Sequence, residues 1–130
     1  MINQITCQLL VGDSKYSKRN ISDAKIDTIV NVGGKNTKYQ TFHLHLKDGP
    51  NPKKDYEKVL NYIQRHYNNG KKILVHCRAG ISRSPFIIAL FLSRNLEIDI
   101  DEAIQIVENK HPVTQINRKM LNYYKMEMKK

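Results

Sequence analysis

Cysteine is scarce in this chain. Only Cys7 and Cys77 occur in 130 residues, too few and too far apart for a disulfide framework. Acidic residues are also in short supply: 12 Asp and Glu stand against 22 Lys and Arg, a formal net charge of +10. A surface of that sign favours anionic partners. The positive charge is spread along the sequence without an Arg-rich tail, so a specific nucleic-acid role is not the expected one. No apolar run reaches transmembrane length and the first residues lack a signal-peptide pattern. Integral membrane association is therefore not expected. His43 and His45 stand at i and i+2 with no third ligand near them in sequence, so neither a metal site nor a metal cofactor is expected. A length of 130 residues leaves room for one domain, 1–130, around one core.

Against these absences stands one dense stretch, K-K-I-L-V-H-C-R-A-G-I-S-R-S-P, from Lys71 to Pro85. Its apolar run reads as a strand over 73–75 that delivers His76 and Cys77. A turn of Cys77, Arg78, Ala79, Gly80, Ile81, Ser82 and Arg83 follows, then a helix in which Pro85 sits comfortably in the first turn. A loop curled over a helix N-terminus aims several backbone N–H groups at one point and forms an anion cradle. The same field, with Arg83, favours Cys77 as a thiolate. An anion hole with a nucleophile at its floor points to phosphoryl transfer through sulfur. The alternatives are a cradle that only binds phosphate, or a buried Cys beside a structural Arg.

The remaining elements follow from periodicity and turn signals. Residues 2–11 read as one or two short edge strands ending in a turn at Gly12-Asp13. The polar stretch 14–24 reads as a surface turn and a short helix anchored by Tyr16 and Ile21. Residues 28–32, apolar on both faces, suit the centre of a parallel sheet and are closed by Gly33-Gly34. A strand is expected over 39–46, with Phe42, Leu44 and Leu46 on one face. The loop K-D-G-P-N-P at 47–52 looks mobile and lies beyond a strand's C-terminal end, where α/β sheets place chemistry. Helices are expected over 55–68 (stripe Val59, Leu60, Ile63), over 86–92, from Asp99 or Asp101 to about 110 (Ala103, Ile104 and Val107 inward), and over 117–128 (Leu121, Tyr124 and Met128, with Met120). Cys7 reads as a small buried apolar residue rather than as a redox partner of Cys77.

The stretch around Cys77 matches, position for position, the H-C-x-x-G-x-x-R-S signature of the cysteine-dependent protein tyrosine phosphatases. With Ser-Arg-Ser at 82–84, the chain resembles the small members of their dual-specificity branch along almost its whole length. That resemblance implies an α/β three-layer sandwich with a central, mostly parallel sheet of four to five strands flanked by helices. It implies hydrolysis of phosphotyrosine and of phosphoserine or phosphothreonine in phosphorylated proteins or peptides, through a cysteinyl-phosphate and without a cofactor. Cys77 would be the nucleophile and Arg83 the bidentate phosphate clamp. His76 would order the loop and help keep the thiol ionised, and Ser84 would donate to the leaving thiolate. Asn31 would brace the phosphate loop. Asp48 is the expected general acid, by likeness to the Asp-Gly-x-x-Pro loop of small relatives. Asp55 is the runner-up, since it reads better as a helix-start residue. Gln115 or Asn117 would orient water, although Asn117 reads equally well as a helix cap.

The chain lacks the length for the added aromatic loop with which classical phosphotyrosine enzymes build a deep slot, and a shallow site is expected. Phosphoinositide and RNA 5′-phosphate substrates are alternatives, disfavoured by Ile81 and Ser82 where lipid and RNA relatives carry a second basic residue and an Asn. A weakly active phosphopeptide-binding module is a further alternative. A nucleophilic cysteine needs a reducing compartment, so a cytoplasmic or nuclear location is expected.

Overall fold

The computed structural model describes residues 1–35 and 38–129. Among these residues five strands form one sheet: β1 (Ile2–Gln4), β2 (Leu9–Gly12), β3 (Thr28–Asn31), β4 (Phe42–His43) and β5 (Ile73–His76), in the order β1-β2-β5-β3-β4. Only β1 runs antiparallel, because a short turn joins it to β2. There the amides of Ile5 and Thr6 both donate to the Leu9 carbonyl, and the Thr6 hydroxyl accepts from the amides of Gln8 and Leu9. The other three pairings are parallel.

β5 lies at the centre, with Val75 paired to Val11 of β2 and to Val30 of β3. All four residues of β2, β3 and β5 are buried, so these strands carry apolar side chains on both faces. Ile73 and Val75 face the larger cluster, built with α2 (Lys53–Asn68), α3 (Arg83–Leu96), α4 (Ile100–Lys110) and α5 (Arg118–Met128). Leu74 faces a smaller cluster, closed by Ile21 and Ala24 of α1 (Lys18–Ala24) and by Tyr16. One helix on one face and four on the other make the expected three-layer sandwich. Among the described residues, no helix is long and apolar enough to cross a membrane.

Several expectations need correction. β2 is not an edge strand, since β1 and β5 flank it, and the hairpin turn falls over residues 5–8 as well as the chain turning after Gly12. Cys7 lies in that hairpin turn and is exposed, not buried. The register sets Leu9 beside Ile73 and Gly12 beside His76, which puts Cys7 at the far end of the sheet from Cys77. At about 3.3 Å per residue the two cysteines stand roughly 20 Å apart, well beyond disulfide reach.

The strand expected over 39–46 shrinks to Phe42–His43 because its partner β3 ends at Asn31 and turns away at Gly33-Gly34. Single bonds from Leu44 N–H to the Asn31 carbonyl and from Leu46 N–H to the Val32 carbonyl carry the chain onward. Helix α2 begins earlier than expected and buries Tyr56 with Val59, Leu60 and Ile63. Met128 does not join the buried face of α5, which is Met120 and Tyr124; half of its surface is exposed.

Candidate functional site

The parallel strands β2, β5 and β3 end together, so the segments beyond Gly12, His76 and Asn31 converge at one end of the sheet. β5 carries Cys77 directly off its C-terminus, and the 77–83 loop returns the chain to α3, whose N-cap is Ser82. Cys77 is almost fully buried. Its Sγ lies 3.2 Å from the Ser84 hydroxyl and receives the Ser84 backbone N–H at 3.4 Å. The sulfur thus faces the open amides of the first turn of a fourteen-residue helix, a setting that stabilises negative charge.

The Ser84 hydroxyl also donates to the Gly12 carbonyl at 3.3 Å. One proton therefore has two acceptors. While Cys77 is a thiol, the hydroxyl accepts from sulfur and donates to Gly12; once sulfur ionises, the same proton can turn to it.

The loop keeps its shape because its carbonyls are held outward. Arg78 O accepts from the Ser14 amide and hydroxyl, Ile81 O from the Gln115 amide, and Gly80 O from the His111 ring. In a trans peptide the N–H points opposite to the C=O, so the amides of Ala79, Ile81 and Ser82 turn the other way. Gly80 sits at φ +69, and a Cβ there would come within 2.7 Å of the Gly12 backbone, so both conformation and space require glycine.

Arg83 spans from the first turn of α3 to the segment that leads into the 47–52 loop, its Nη1 donating to the Leu46 carbonyl at 2.9 Å. The guanidinium lies flat against Gly33, where it comes closer than a side chain on that residue would allow. Asn31, fully buried, makes its hydrogen bonds within the 33–35 turn and to Gln40: Oδ1 accepts from the Gly33 and Gly34 amides, and Nδ2 donates to the Gly34 and Lys35 carbonyls. None of these side-chain bonds reaches the 77–83 loop. Asn31 shapes the surface on which Arg83 rests.

His76 is fully buried, with Nε2 3.0 Å from the Tyr16 hydroxyl and Nδ1 without a hydrogen-bond partner among the described residues. Burial pushes its pKa down to about 4. At neutral pH it is therefore uncharged and offers Cys77 no positive charge.

Asp48 lies on the same pocket as Cys77, and its Oδ1 accepts from the Ser82 hydroxyl at 2.6 Å. Its loop is pinned rather than mobile. Asn51, buried, accepts from the Lys47 amide and donates to the carbonyls of Lys47 and Gly49. Asn117 adds a bond from Nδ2 to the Asp48 carbonyl. Asp55 lies in the first turn of α2, two residues inside a helix whose N-cap is Pro52, and is not among the residues lining the pocket.

Asn117 caps α5 with Oδ1 and donates its own amide to the Ser82 hydroxyl. With both ends of its side chain committed, it ties α5 to both loops and is not placed to orient water. Gln115 is among the residues lining the pocket and donates its backbone N–H to the Ile81 carbonyl. The pocket is about 290 Å³, lined by 77–79, 81–83, Asp48 and Gln115. Arg78, Ala79 and Ile81 form its exposed rim. His43 and His45 are exposed, and among the described residues no cluster of three or more His, Cys, Asp or Glu is placed to hold a metal.

Sequence reasoning missed Asn51, Ser14 and His111 as supports of this site. Asn51 had a legible signal, an Asn between two prolines after the candidate acid. His111 showed only as part of a helix-breaking His-Pro pair.

The family model described as the dual specificity phosphatase catalytic domain matches residues 9–126. Human dual specificity protein phosphatase 1 is 29% identical over 118 residues, covering 84% of this chain and 32% of that protein. The chain spans 10% and 27% of the lengths of two further curated relatives. Among solved structures, the human tyrosine phosphatase-like serine/threonine/tyrosine-interacting protein superposes with a TM-score of 0.85 at 17% identity, covering 98% of this chain and 95% of that one. Human DUSP28 gives 0.83 at 18% identity, covering 99% and 95%. At those identities the likeness shows the fold. The match of the family model over most of the sequence shows more: this chain belongs to the dual specificity phosphatase catalytic-domain family.

Proposed function

We propose that the chain hydrolyses phosphate monoesters on proteins, taking phosphotyrosine and phosphoserine or phosphothreonine, through a cysteinyl-phosphate on Cys77. The observation that carries this reading is the sulfur itself, buried at the floor of an amide-lined loop and bonded to both the N–H and the hydroxyl of Ser84.

The Cys77 thiolate attacks phosphorus in line with the leaving oxygen. The S–P bond forms as the P–O bond breaks, and the Asp48 carboxylic acid gives its proton to the departing oxygen. The loop amides and the Arg83 fork hold the equatorial oxygens as charge shifts among them. Water, deprotonated by the Asp48 carboxylate, then attacks phosphorus. The S–P bond breaks, inorganic phosphate forms, and the electron pair returns to sulfur, where the Ser84 hydroxyl receives it.

Two features support a dual preference. The pocket is small, about 290 Å³, and none of its lining residues is aromatic, which suits short phosphoserine and phosphothreonine side chains as well as phosphotyrosine. The net charge of +10 suits substrates with acidic or phosphorylated surroundings. The test is a panel of phosphotyrosyl and phosphothreonyl peptides, phosphoinositides and RNA 5′ triphosphate. Turnover of both peptide classes is expected, with phosphotyrosine faster because phenolate leaves more easily. Faster turnover of lipid or RNA would overturn the substrate assignment, and tight peptide binding without turnover would overturn the activity.

A further inference from the structure

His111 is a fully buried, titratable residue for which the proposed chemistry has no use. It is the C-cap of α4, and its ring bridges two distant parts of the chain. Nε2 lies 2.6 Å from the Gly80 carbonyl of the phosphate loop, and Nδ1 lies 2.7 Å from the Asn3 side-chain amide on β1. A carbonyl can only accept, so Nε2 carries a proton. The Asn3 nitrogen can only donate, so Nδ1 accepts. Both partners select the same neutral tautomer. The turn that aims the ring is itself tied, because the Thr114 amide and hydroxyl both bond to the His111 carbonyl.

We propose that His111 is a positioning residue of the anion cradle, holding the Gly80 carbonyl outward so that the Ile81 N–H faces the bound phosphate. Glycine at φ +69 leaves the 80–81 peptide little steric resistance to rotation. Rotated, that peptide would turn a carbonyl oxygen toward the phosphate in place of a donor. The neighbouring carbonyls are secured by backbone amides, at Arg78 by Ser14 and at Ile81 by Gln115. Gly80 alone of these three depends on a side chain for its strut. The segment from 111 to 117 thus supports three successive loop residues, through His111 at Gly80, the Gln115 amide at Ile81 and the Asn117 amide at Ser82.

The proposal rests on the phosphatase reading, and its test separates the two. Tungstate serves as the phosphate mimic, with binding measured by competitive inhibition of aryl phosphate hydrolysis and by ¹⁵N-amide titration of the unaltered protein. His111→Leu fills the same space without a donor, and His111→Gln can place an amide N–H where Nε2 stood. Thermal melts establish that each is folded at the assay temperature. His111→Leu is expected to weaken tungstate inhibition and kcat/KM by roughly tenfold or more, with His111→Gln recovering most of both. In the unaltered protein the Ile81 amide resonance should move on tungstate addition, a readout that needs no variant. A folded His111→Leu that binds tungstate as well as the parent, or an Ile81 resonance unmoved by bound tungstate, would overturn the proposal alone. A parent that binds no tungstate and hydrolyses nothing would overturn the phosphatase reading and the proposal with it.

Discussion

Removing the Ser84 hydroxyl probes the step in which sulfur leaves phosphorus. Ser84→Ala keeps the backbone N–H that reaches Sγ at 3.4 Å and removes only the hydroxyl at 3.2 Å. A hydrogen bond to a charged acceptor is worth about 1.5–3 kcal/mol, so expulsion of the thiolate should slow by roughly 10- to 100-fold. The first step responds in the opposite sense, since a thiolate that has lost a donor is the stronger nucleophile. The two steps therefore separate in time. In stopped flow with an aryl phosphate of low phenol pKa, the variant should release phenol in a burst stoichiometric with enzyme and then turn over slowly. The parent should show no comparable burst. The Gly12 carbonyl loses the same hydroxyl but still accepts from the Cys77 amide, so the melting temperature should barely move. A variant without a burst whose steady rate stays within twofold of the parent would refute this assignment, as would a first step slowed as much as the second.

Arg83→Lys retains the charge but not the planar fork, and kcat/KM should fall by roughly 10²–10³-fold; unchanged steady-state kinetics would mean the clamp lies elsewhere. Asp48→Asn should leave a phosphate ester of a very acidic phenol almost unaffected and cost about 10²–10⁴-fold on phosphothreonine. A series of aryl phosphates of rising phenol pKa checks this, and a penalty that does not vary along it would remove Asp48 from the role. His76 takes its proton near pH 4 in the fold against 6.5 in the unfolded chain, so below 6.5 the unfolded chain binds more protons. Its contribution is whole above pH 6.5 and is lost as the pH falls toward 4, up to about 3 kcal/mol. Urea titrations from pH 7 to pH 4.5 should show a shallower decline for His76→Gln than for the parent, and parallel declines would contradict the buried neutral assignment.

The 77–83 turn was legible because its signals are local: a strand, Gly80 and a helix start lie within a few residues of one another. The layers were legible too, since β3 and β5 are apolar on both faces and α2 and α4 carry clean stripes. What escaped notice depends on pairing across long separations. Whether 9–12 forms an edge or an interior strand is decided by β5, more than sixty residues downstream, and not by the composition of Leu9–Gly12. The strand expected over 39–46 had the right alternation, but beyond the Asn31–His43 pair single bonds replace the ladder. The K-D-G-P-N-P loop looked mobile from its Gly and Pro content, yet Asn51 folds its side chain back into the loop and fixes it. Asn117 offered two readings, and the capping one prevailed because its Oδ1 meets the Met120 amide. His111 and Gly80 lie 31 residues apart, and neither position announces the other in sequence.

The central claim is that phosphate passes through the sulfur of Cys77. The most direct measurement is rapid acid quench of Ser84→Ala during turnover of an aryl phosphate, followed by peptide mass spectrometry, with Cys77→Ser treated in parallel. The account predicts a phosphate attached through sulfur to the peptide carrying Cys77, building up at the rate of the phenol burst and absent from Cys77→Ser. Turnover by Cys77→Ser within a few-fold of the parent, or a phosphate recovered on any other side chain, would contradict it.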